Sequence, residues 1–476
     1  MGQKVHAHKL MFSLMLKNKN QQMPGVRIVL LCKLIIYKFN NPNKLIMPNS
    51  KTYRILSLDG GGSWALIQVK CLRKLFAETF NNPDPTGHEV LSKFDLVAAN
   101  SGGSLVAAAM AENLRLSEIE KIFGDEKLRS RVFSRLSFWE KSLLSSAARI
   151  FKIGAKYATK RKHKALKEIL PKIAQIDLMH IPQHVAVNNE VKTQFLIIGY
   201  DYYRNRAEMF RTDCDSLAST SVIERKLKNL PVVAQTPSDC LISLVDAIHA
   251  SSTAPVNYFN EPATFKVNNK LKFYWDGGVT GNNNPVLAAV TEAICNRQQY
   301  GIEHIQVLSL GTGSVSQLQY DEEIPVRFNE LKAKHEEPGL IQDIQKMGTS
   351  ILNDPPDTAA FVAYMILNSS MPAKPIDFIR MNPVLRPMMI NEAGGKHWDL
   401  PAGINKDEYV ALNAMDMDAV EDKEVSLIIK LCENWLNNAG VPNQAIRSDG
   451  ALNCLIGHAD FNTAKADFKS WFTLTN

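Results

Sequence analysis

The strongest constraint on the fold of this chain is a short apolar run followed, after a few small residues, by an alanine-rich run. Residues 94–99 (FDLVAA) predict a buried strand, and residues 105–112 (LVAAAMAE) predict a helix. Between them, residues 99–103 (ANSGG) predict a sharp turn of the G-x-S-x-G type that lifts the Ser101 hydroxyl above the sheet edge. Ser101 also falls at a helix N-terminus, where unpaired N–H groups favour a developing negative charge. Because alanine replaces the first glycine of the motif, an ordinary strand–helix turn is the alternative.

A glycine-rich loop joins another strand and helix upstream. Residues 53–58 (YRILSL) predict the strand, DGGG follows at residues 59–62, and apolar residues at helical spacing predict a helix over residues 66–80. Three consecutive glycines cost backbone entropy and let N–H groups face a ligand closely. Such a loop can be an oxyanion hole for acyl transfer, and a flexible turn is the alternative.

The same glycines partly fit a dinucleotide-binding fingerprint, since residues 60–65 (GGGSWA) match G-x-G-x-x-A. That fold requires a second strand ending in an acid about 20 residues on. Residues 81–87 (NNPDPTG) occupy that place and predict a loop. A P-loop is less favoured still, because no Gly-Lys-Ser/Thr follows the glycines.

A third feature is an aspartate at the end of a later strand. Residues 270–275 (KLKFYW) alternate as a strand does, and Asp276 follows with two glycines. A carboxylate at a strand end is well placed to meet a serine at a neighbouring strand end. The alternative is a turn-forming aspartate, which is the commoner role of Asp-Gly.

The glycine loop, the serine elbow and the late Asp-Gly-Gly, in this order, resemble the patatin-like phospholipase family over roughly residues 51–315. Residues 250–255 (ASSTAP) and 307–313 (VLSLGTG) are similar to that family as well. The resemblance implies an α/β fold, a three-layer α/β/α sandwich with a central, mostly parallel sheet, and a serine paired with an aspartate without histidine. It makes Ser101 the nucleophile, Asp276 the base, and the backbone N–H groups of Gly60, Gly61 and Gly62 the oxyanion hole.

The resemblance implies hydrolysis of fatty-acyl esters of phospholipids, of phospholipase A or lysophospholipase type, without cofactor or metal. A serine hydroxyl is a weak nucleophile until a base takes its proton. The pKa of aspartate is about 3.9 in water, but a dry cleft raises the basicity of the carboxylate. We therefore expect Ser101 to form an acyl-enzyme and Asp276 to activate the water that releases the fatty acid.

Two positions depart from the family pattern. Trp64 stands where the family usually has a basic residue, and Ala65 stands where it usually has glycine. Trp64 brings no positive charge to an oxyanion or phosphate, and its indole could instead contact an acyl chain. The alternatives are another serine acyl hydrolase or acyltransferase on the same fold, or a catalytically weak or silent lipid- or nucleotide-sensing module.

His249, in a predicted helix, is expected to be structural.

Positive charge is concentrated in one block, here called the basic segment, at residues 127–172. The whole chain has a net charge of +7, but this segment holds 14 Lys and Arg residues and only two acidic ones, a surplus of 12 positive charges. Basic residues interleaved with aromatic and aliphatic ones predict peripheral contact with an anionic membrane, at about 1 kcal/mol per basic residue near the surface. A solvated insertion or phosphate binding are alternatives. Since no nucleic-acid motif is present, we expect no nucleic-acid partner.

Cysteine usage and the N-terminal sequence bear on the compartment. The seven cysteines are odd in number, and no C-x-x-C occurs, which favours reduced thiols in the cytoplasm. Residues 1–58 contain no Asp or Glu, and the apolar run at residues 26–37 is interrupted by two basic residues. It is too short for a membrane span of about 20 residues, and no clear secretory signal is present. We expect residues 1–50 to be a poorly ordered basic extension, with Met47 as a candidate start.

The sequence thus predicts three regions. They are the extension at residues 1–50, a catalytic domain at residues 51–315 that includes the basic segment, and a mainly helical C-terminal region at residues 316–476. Within the last, residues 321–371 are helix-patterned with a break predicted at Pro355-Pro356, and residues 418–437 predict a helix.

Overall fold

A mixed β-sheet lies at the centre of the computed structural model. The structure describes residues 51–136, 155–188, 193–212, 241–255, 258–267, 269–368, 376–449 and 454–473. Its strands are β1 (Lys51–Leu58), β2 (Leu96–Ala99), β3 (Gln194–Asp201), β4 (Arg206–Arg211), β5 (Ala263–Val267), β6 (Lys270–Asp276), β7 (Ile302–Leu310), β8 (Ser314–Val315), β9 (Phe378–Met381), β10 (Val384–Leu385), β11 (Met388–Glu392), β12 (Gly395–Asp399), β13 (Arg447–Asp449) and β14 (Cys454–Ile456).

Eight of these strands form the central sheet, in the order β5-β6-β3-β2-β1-β7-β9, with β4 also paired to β3. The strands β3, β2, β1, β7 and β9 run parallel to one another. The strands β4, β5 and β6 are antiparallel to their partners. The strand β1 is paired on both sides, with β2 and with β7, and its last four residues (55–58) are all buried.

Helices cover both faces of the sheet. They are α1 (Leu66–Phe80), α2 (Gly87–Leu91), α3 (Ser101–Ala111), α4 (Leu116–Gly124), α5 (Glu126–Val132), α6 (Thr159–Ile169), α7 (Ile181–His184), α8 (Leu244–Ser251), α9 (Val286–Cys295), α10 (Arg297–Tyr300), α11 (Leu340–Leu367), α12 (Lys406–Ala414), α13 (Asp422–Leu436) and α14 (Phe461–Thr473). On β1, Leu56 and Leu58 pack into a core shared with α1 and α3, whereas Ile55 packs into a second core shared with α9 and α11. This alternation produces the three layers, so the predicted fold class is confirmed.

The C-terminal part of the chain is helical, as predicted, through α12, α13 and α14. It also contributes β9, which pairs in parallel with β7 in the central sheet, and the antiparallel hairpin of β11 and β12. The helices α13 and α14 pack against α1. The C-terminal part is therefore built into the same sheet and core as the elements that precede it.

The predicted helix break at Pro355-Pro356 is wrong, because α11 continues through both prolines. Proline lacks the N–H group that the helix ladder needs, and it normally kinks or ends a helix. Contacts from outside the helix hold this stretch in place: the Asn284 side chain donates to the Pro356 carbonyl at 3.3 Å, and Pro355 lies beside Gly281. Tertiary packing overrides the local preference here.

Two sequence expectations fall on residues that the structure does not describe. They are the poorly ordered extension at residues 1–50 and the part of the basic segment at residues 137–154. Among the described helices, none is both long enough and apolar enough to cross a membrane.

Candidate active site

Ser101 lies at the join of β2 and α3, as the sequence predicts. Its φ of +47° is in the left-handed region, which non-glycine residues rarely adopt. Such strain persists only where surrounding contacts hold it. Here the Ser101 N–H donates to the Ser251 hydroxyl at 3.0 Å, and the Ser104 hydroxyl donates to the Ser101 carbonyl at 2.6 Å. The turn therefore fixes one hydroxyl at the first residue of a helix.

The two glycines after Ser101 allow this turn to pack closely on its neighbours. A Cβ on Gly103 would lie 2.5 Å from the Leu58 carbonyl oxygen, and a Cβ on Gly102 would lie 2.5 Å from the Gly62 carbonyl oxygen. Both distances are far inside van der Waals contact, so a side chain at either position would separate α3 from β1 or from the glycine loop.

Strand topology brings Asp276 to the same point. Ala99 of β2 pairs with Ile197 of β3, and Asp276 of β6 pairs with Gly199, two residues further along β3. Since β4 occupies the opposite edge of β3 over these residues, β2 and β6 share one edge. β2 runs parallel to β3 and β6 runs antiparallel, so their carboxyl ends converge. Ser101 comes two residues after the end of β2, and Asp276 is the last residue of β6.

The Asp276 carboxylate is buried and accepts hydrogen bonds from Ser101, Gly278 and Asn100. Its Oδ1 accepts from the Gly278 N–H at 2.8 Å and from the Asn100 side-chain amide at 3.3 Å. Burial raises the pKa of Asp276 above its usual value, and hydrogen bonds from Ser101, Gly278 and Asn100 oppose that rise. A carboxyl with a raised pKa is a stronger base than aspartate in water.

Asn100 and Ser251 connect the two sides of the site, and sequence analysis assigned no role to either. The Ser251 hydroxyl, which accepts from the Ser101 N–H, donates to Asn100 Oδ1 at 3.3 Å. The Asn100 amide in turn donates to Asp276. Ser251 lies in the ASSTAP stretch, which is the signal that could have indicated it.

The glycine loop lies beside Ser101, but its three amides are not equivalent. The Gly60 N–H donates to the Asn283 carbonyl at 2.8 Å, so it is not free to stabilise an oxyanion. The predicted oxyanion-hole donors are therefore reduced to the N–H groups of Gly61 and Gly62, which donate to no acceptor within the described residues. A Cβ on Gly60 would lie 2.9 Å from the Ser101 Cβ, which shows how closely the loop approaches the serine.

Trp64, which replaces the usual basic residue, is buried and packs in the larger core. Its indole N–H donates to the Asp416 carbonyl at 3.2 Å, and the neighbouring Ser63 N–H donates to the Met417 carbonyl at 2.9 Å. The loop is thus fastened on its far side to the C-terminal part of the chain. The indole stabilises the glycine loop from behind rather than lining an open cleft.

His249 lies in α8, as predicted, and its ring stacks on His163 at a centroid distance of 4.3 Å. Burial and the nearby Lys162 ammonium lower its pKa well below the usual value. The described contacts bond its side chain to neither Ser101 nor Asp276. Within the described residues, no cluster of three or more His, Cys, Asp or Glu side chains is arranged to hold a metal ion.

Comparison with known families agrees with this fold. Residues 56–290 match the family model described as Patatin-like phospholipase. This part of the chain belongs to the patatin-like phospholipase family.

Several characterised relatives are similar at low identity. Patatin-like protein 8 of Arabidopsis thaliana is 24% identical over 299 residues, covering 59% of this chain and 52% of that protein. Calcium-independent phospholipase A2-gamma of Homo sapiens is 25% identical over 339 residues, covering 70% and 35%. The cGAMP-activated phospholipase of Pseudomonas aeruginosa is 24% identical over 269 residues, covering 56% and 65%. The chain thus spans less than two thirds of the length of each of these relatives.

Proposed function

We propose that this chain is a lipid acyl hydrolase of phospholipase A or lysophospholipase type, with Ser101 as nucleophile and Asp276 as base. The observation that carries the proposal is the convergence of β2 and β6 on one edge of β3, which brings a strained serine and a buried carboxylate together. Membership of the patatin-like phospholipase family supports the same chemistry.

The reaction proposed for this geometry has two halves. Asp276 takes the hydroxyl proton of Ser101 through Oδ2, the oxygen that neither Gly278 nor Asn100 engages, as Oγ attacks the ester carbonyl carbon. The N–H groups of Gly61 and Gly62 stabilise the oxyanion. Collapse returns the proton to the leaving alcohol and leaves an acyl-enzyme. Asp276 then deprotonates a water, which attacks the acyl carbonyl; collapse releases the fatty acid, and the proton passes from Asp276 to Ser101 Oγ.

An apolar cleft beside α3 supports a fatty-acyl substrate. Leu105 lies one helical turn after Ser101 and borders this cleft, and the other lining side chains are nearly all apolar. The lining includes Leu105, Ala109, Phe123, Val132, Phe133, Leu166 and Leu170. The cleft measures about 20 Å³ in this structure, so we propose that an entering acyl chain displaces these side chains to make room.

The test is fatty-acid release from defined phospholipids and lysophospholipids by the wild type, Ser101→Ala and Asp276→Asn. We expect both substitutions to lower the rate by several orders of magnitude, because nucleophile and base act as one unit. Ser426→Ala and Asp407→Asn, which lie on helices of the C-terminal part, are the matched controls and should retain wild-type rates. Equal background release by all five proteins would refute the proposal.

The alternative of a silent sensing module rests on Trp64, which supplies no cation beside the glycine loop. It predicts lipid or nucleotide binding without turnover. Binding of phospholipid vesicles that is unchanged by Ser101→Ala, together with no fatty-acid release from any substrate, would favour this alternative.

We further propose that the protein works in the cytoplasm and contacts anionic membranes through the basic segment. In the described part of this segment, Lys160 and Lys164 are 88% and 81% exposed, lie four residues apart on α6 and therefore share one face. Glu261 and Glu168 lie 3.6 and 3.9 Å from their ammonium groups, so each lysine is only loosely paired. Such exposed lysines suit phosphate-rich surfaces.

Vesicle sedimentation tests this contact. We expect Lys160→Glu/Lys164→Glu to weaken binding to vesicles that contain anionic lipid and to leave binding to neutral vesicles unchanged. The control is Lys396→Glu/Lys423→Glu, which makes the same change of charge elsewhere. If the two double variants behave alike, or if binding is indifferent to lipid charge and salt, the membrane contact is refuted.

A further inference from the structure

One lysine of the basic segment is not at the surface. Lys162 lies on α6 and is only 1% exposed, although residues 160–164 (KRKHK) are all basic. Its ammonium donates to the His249 carbonyl at 3.1 Å, to the Ser252 hydroxyl at 3.1 Å and to the Thr253 hydroxyl at 2.6 Å. A buried ammonium costs several kcal/mol unless its donors are satisfied, and these three bonds satisfy all of them.

The three acceptors belong to the short stretch at residues 249–253, which touches both members of the proposed pair. The Ser251 hydroxyl accepts from the Ser101 N–H at 3.0 Å. The Thr253 carbonyl accepts from the Asp276 N–H at 2.9 Å. Lys162 therefore fastens the one stretch that contacts the nucleophile on one side and the base on the other.

Two titratable groups in the described part of the chain, Asp276 and His249, act on Lys162 or are acted on by it. Burial lowers its own pKa well below the usual value, and the Asp276 carboxylate opposes that effect. The His249 imidazole is held neutral, because burial and this ammonium both lower its pKa. The ammonium also lies 4.4 Å from the centre of the Phe259 ring, which carries no charge. Among the described residues, Asp276 is the carboxylate whose charge favours the ammonium form of Lys162.

We propose that Lys162 is a positioning residue for the Ser101–Asp276 pair: its ammonium holds residues 249–253 against both side chains and keeps Asp276 in the ionised form. It touches neither the substrate nor the reacting atoms. This inference rests on the roles proposed above for Ser101 and Asp276.

The test uses the rate at which a fluorophosphonate labels Ser101, measured as a function of pH. In Lys162→Met, loss of the positive charge should move the low-pH midpoint of the rate upward by about 1 pH unit. At pH values below that midpoint, this corresponds to labelling about tenfold slower than in the wild type. Lys423→Met, which removes a surface charge on α13, should leave the profile unchanged. A purely structural role would lower the rate without moving the midpoint.

A second variant keeps the inference testable where Lys162→Met does not fold, as judged by thermal unfolding. Thr253→Val retains the lysine charge and removes the shortest of its three bonds. It should slow labelling several-fold at all pH values and leave the midpoint in place. Folded Lys162→Met with a wild-type midpoint, or Thr253→Val with wild-type rates, would overturn the inference.

Labelling needs no lipid, so failure of this inference is distinguishable from failure of the proposed function. A wild type that is labelled with the expected pH dependence but releases no fatty acid would reject the hydrolase and retain the role of Lys162. Absence of labelling at Ser101 in the wild type would remove both.

Discussion

Gly103→Ala tests how tightly α3, the helix that begins at Ser101, is packed on β1. The added Cβ would lie 2.5 Å from the Leu58 carbonyl oxygen, 2.6 Å from the Asp59 carbonyl oxygen and 2.7 Å from the Leu58 carbonyl carbon. All three are backbone atoms, which cannot rotate away as a flexible side chain can. Leu58 is also fixed on both sides, by pairing with Ala99 and Leu310.

The size of the effect follows from these distances. Contacts under 3.0 Å are essentially absent for real Cβ atoms, so α3 would have to retreat by at least about 0.5 Å in a close-packed interior. Overpacking of this kind costs about 1–3 kcal/mol, and three simultaneous backbone clashes favour the upper end. Alanine recovers about 1 kcal/mol through its better helix propensity. We expect a net loss of about 2 kcal/mol in the free energy of unfolding.

Urea and thermal unfolding of the wild type, Gly103→Ala and Gly124→Ala provide the measurement. Gly124 also lies in a helix, α4, but a Cβ there would meet no atom within 4 Å. Its replacement should leave stability unchanged or slightly raised. Fluorophosphonate labelling should slow in Gly103→Ala alone, since Ser101 begins the displaced helix. Equal stability of the two variants would refute the packing argument.

Two further predictions concern the glycine loop and the base. Trp64→Phe loses the hydrogen bond to the Asp416 carbonyl, so its free energy of unfolding in urea should be lower by about 1–2 kcal/mol. Trp64→Arg buries an unpaired charge, so its free energy of unfolding should be lower still. Fatty-acid release by Trp64→Arg should be no faster than by the wild type. Stability equal to the wild type in Trp64→Arg would contradict this. Because burial raises the pKa of Asp276 and the base must be ionised, labelling of Ser101 should decline, as pH falls, at a higher pH than an ordinary aspartate would give. A low-pH midpoint at or below the ordinary value of 3.8 would contradict that shift.

Local sequence signals were sufficient for much of the fold and for selecting Ser101 and Asp276 as candidate residues. The strand predicted at residues 53–58 lies within β1, and the helix predicted at residues 105–112 coincides with α3 as far as residue 111. These elements are specified by apolar runs and by glycines whose neighbours leave no room for a Cβ. The spatial meeting of Ser101 and Asp276 is different, because it depends on β2 and β6 sharing an edge of β3. That pairing joins segments about 175 residues apart, and here the family resemblance supplied what the periodicity could not.

Other features were hidden because their partners are distant in sequence. Lys162 lies in a run of basic residues that indicates a solvated face, and only the three-dimensional structure shows its burial against residues 249–253. The Gly60 amide resembles its two neighbours in sequence, yet the Asn283 carbonyl already accepts from it. Pro355-Pro356 locally favours a break, yet α11 continues through both prolines.

The position of β7 and β9 has a practical consequence for truncated proteins. The stretch that matches the family model stops at residue 290, before β7 begins at Ile302. A protein cut there would leave one side of β1 with unpaired N–H and C=O groups over its whole length. Exposed strand edges of this kind recruit other chains and cause aggregation. The segment that matches the family model is therefore too short to fold without an exposed strand edge. We expect that a stable fragment must extend at least through Met381, the last residue of β9.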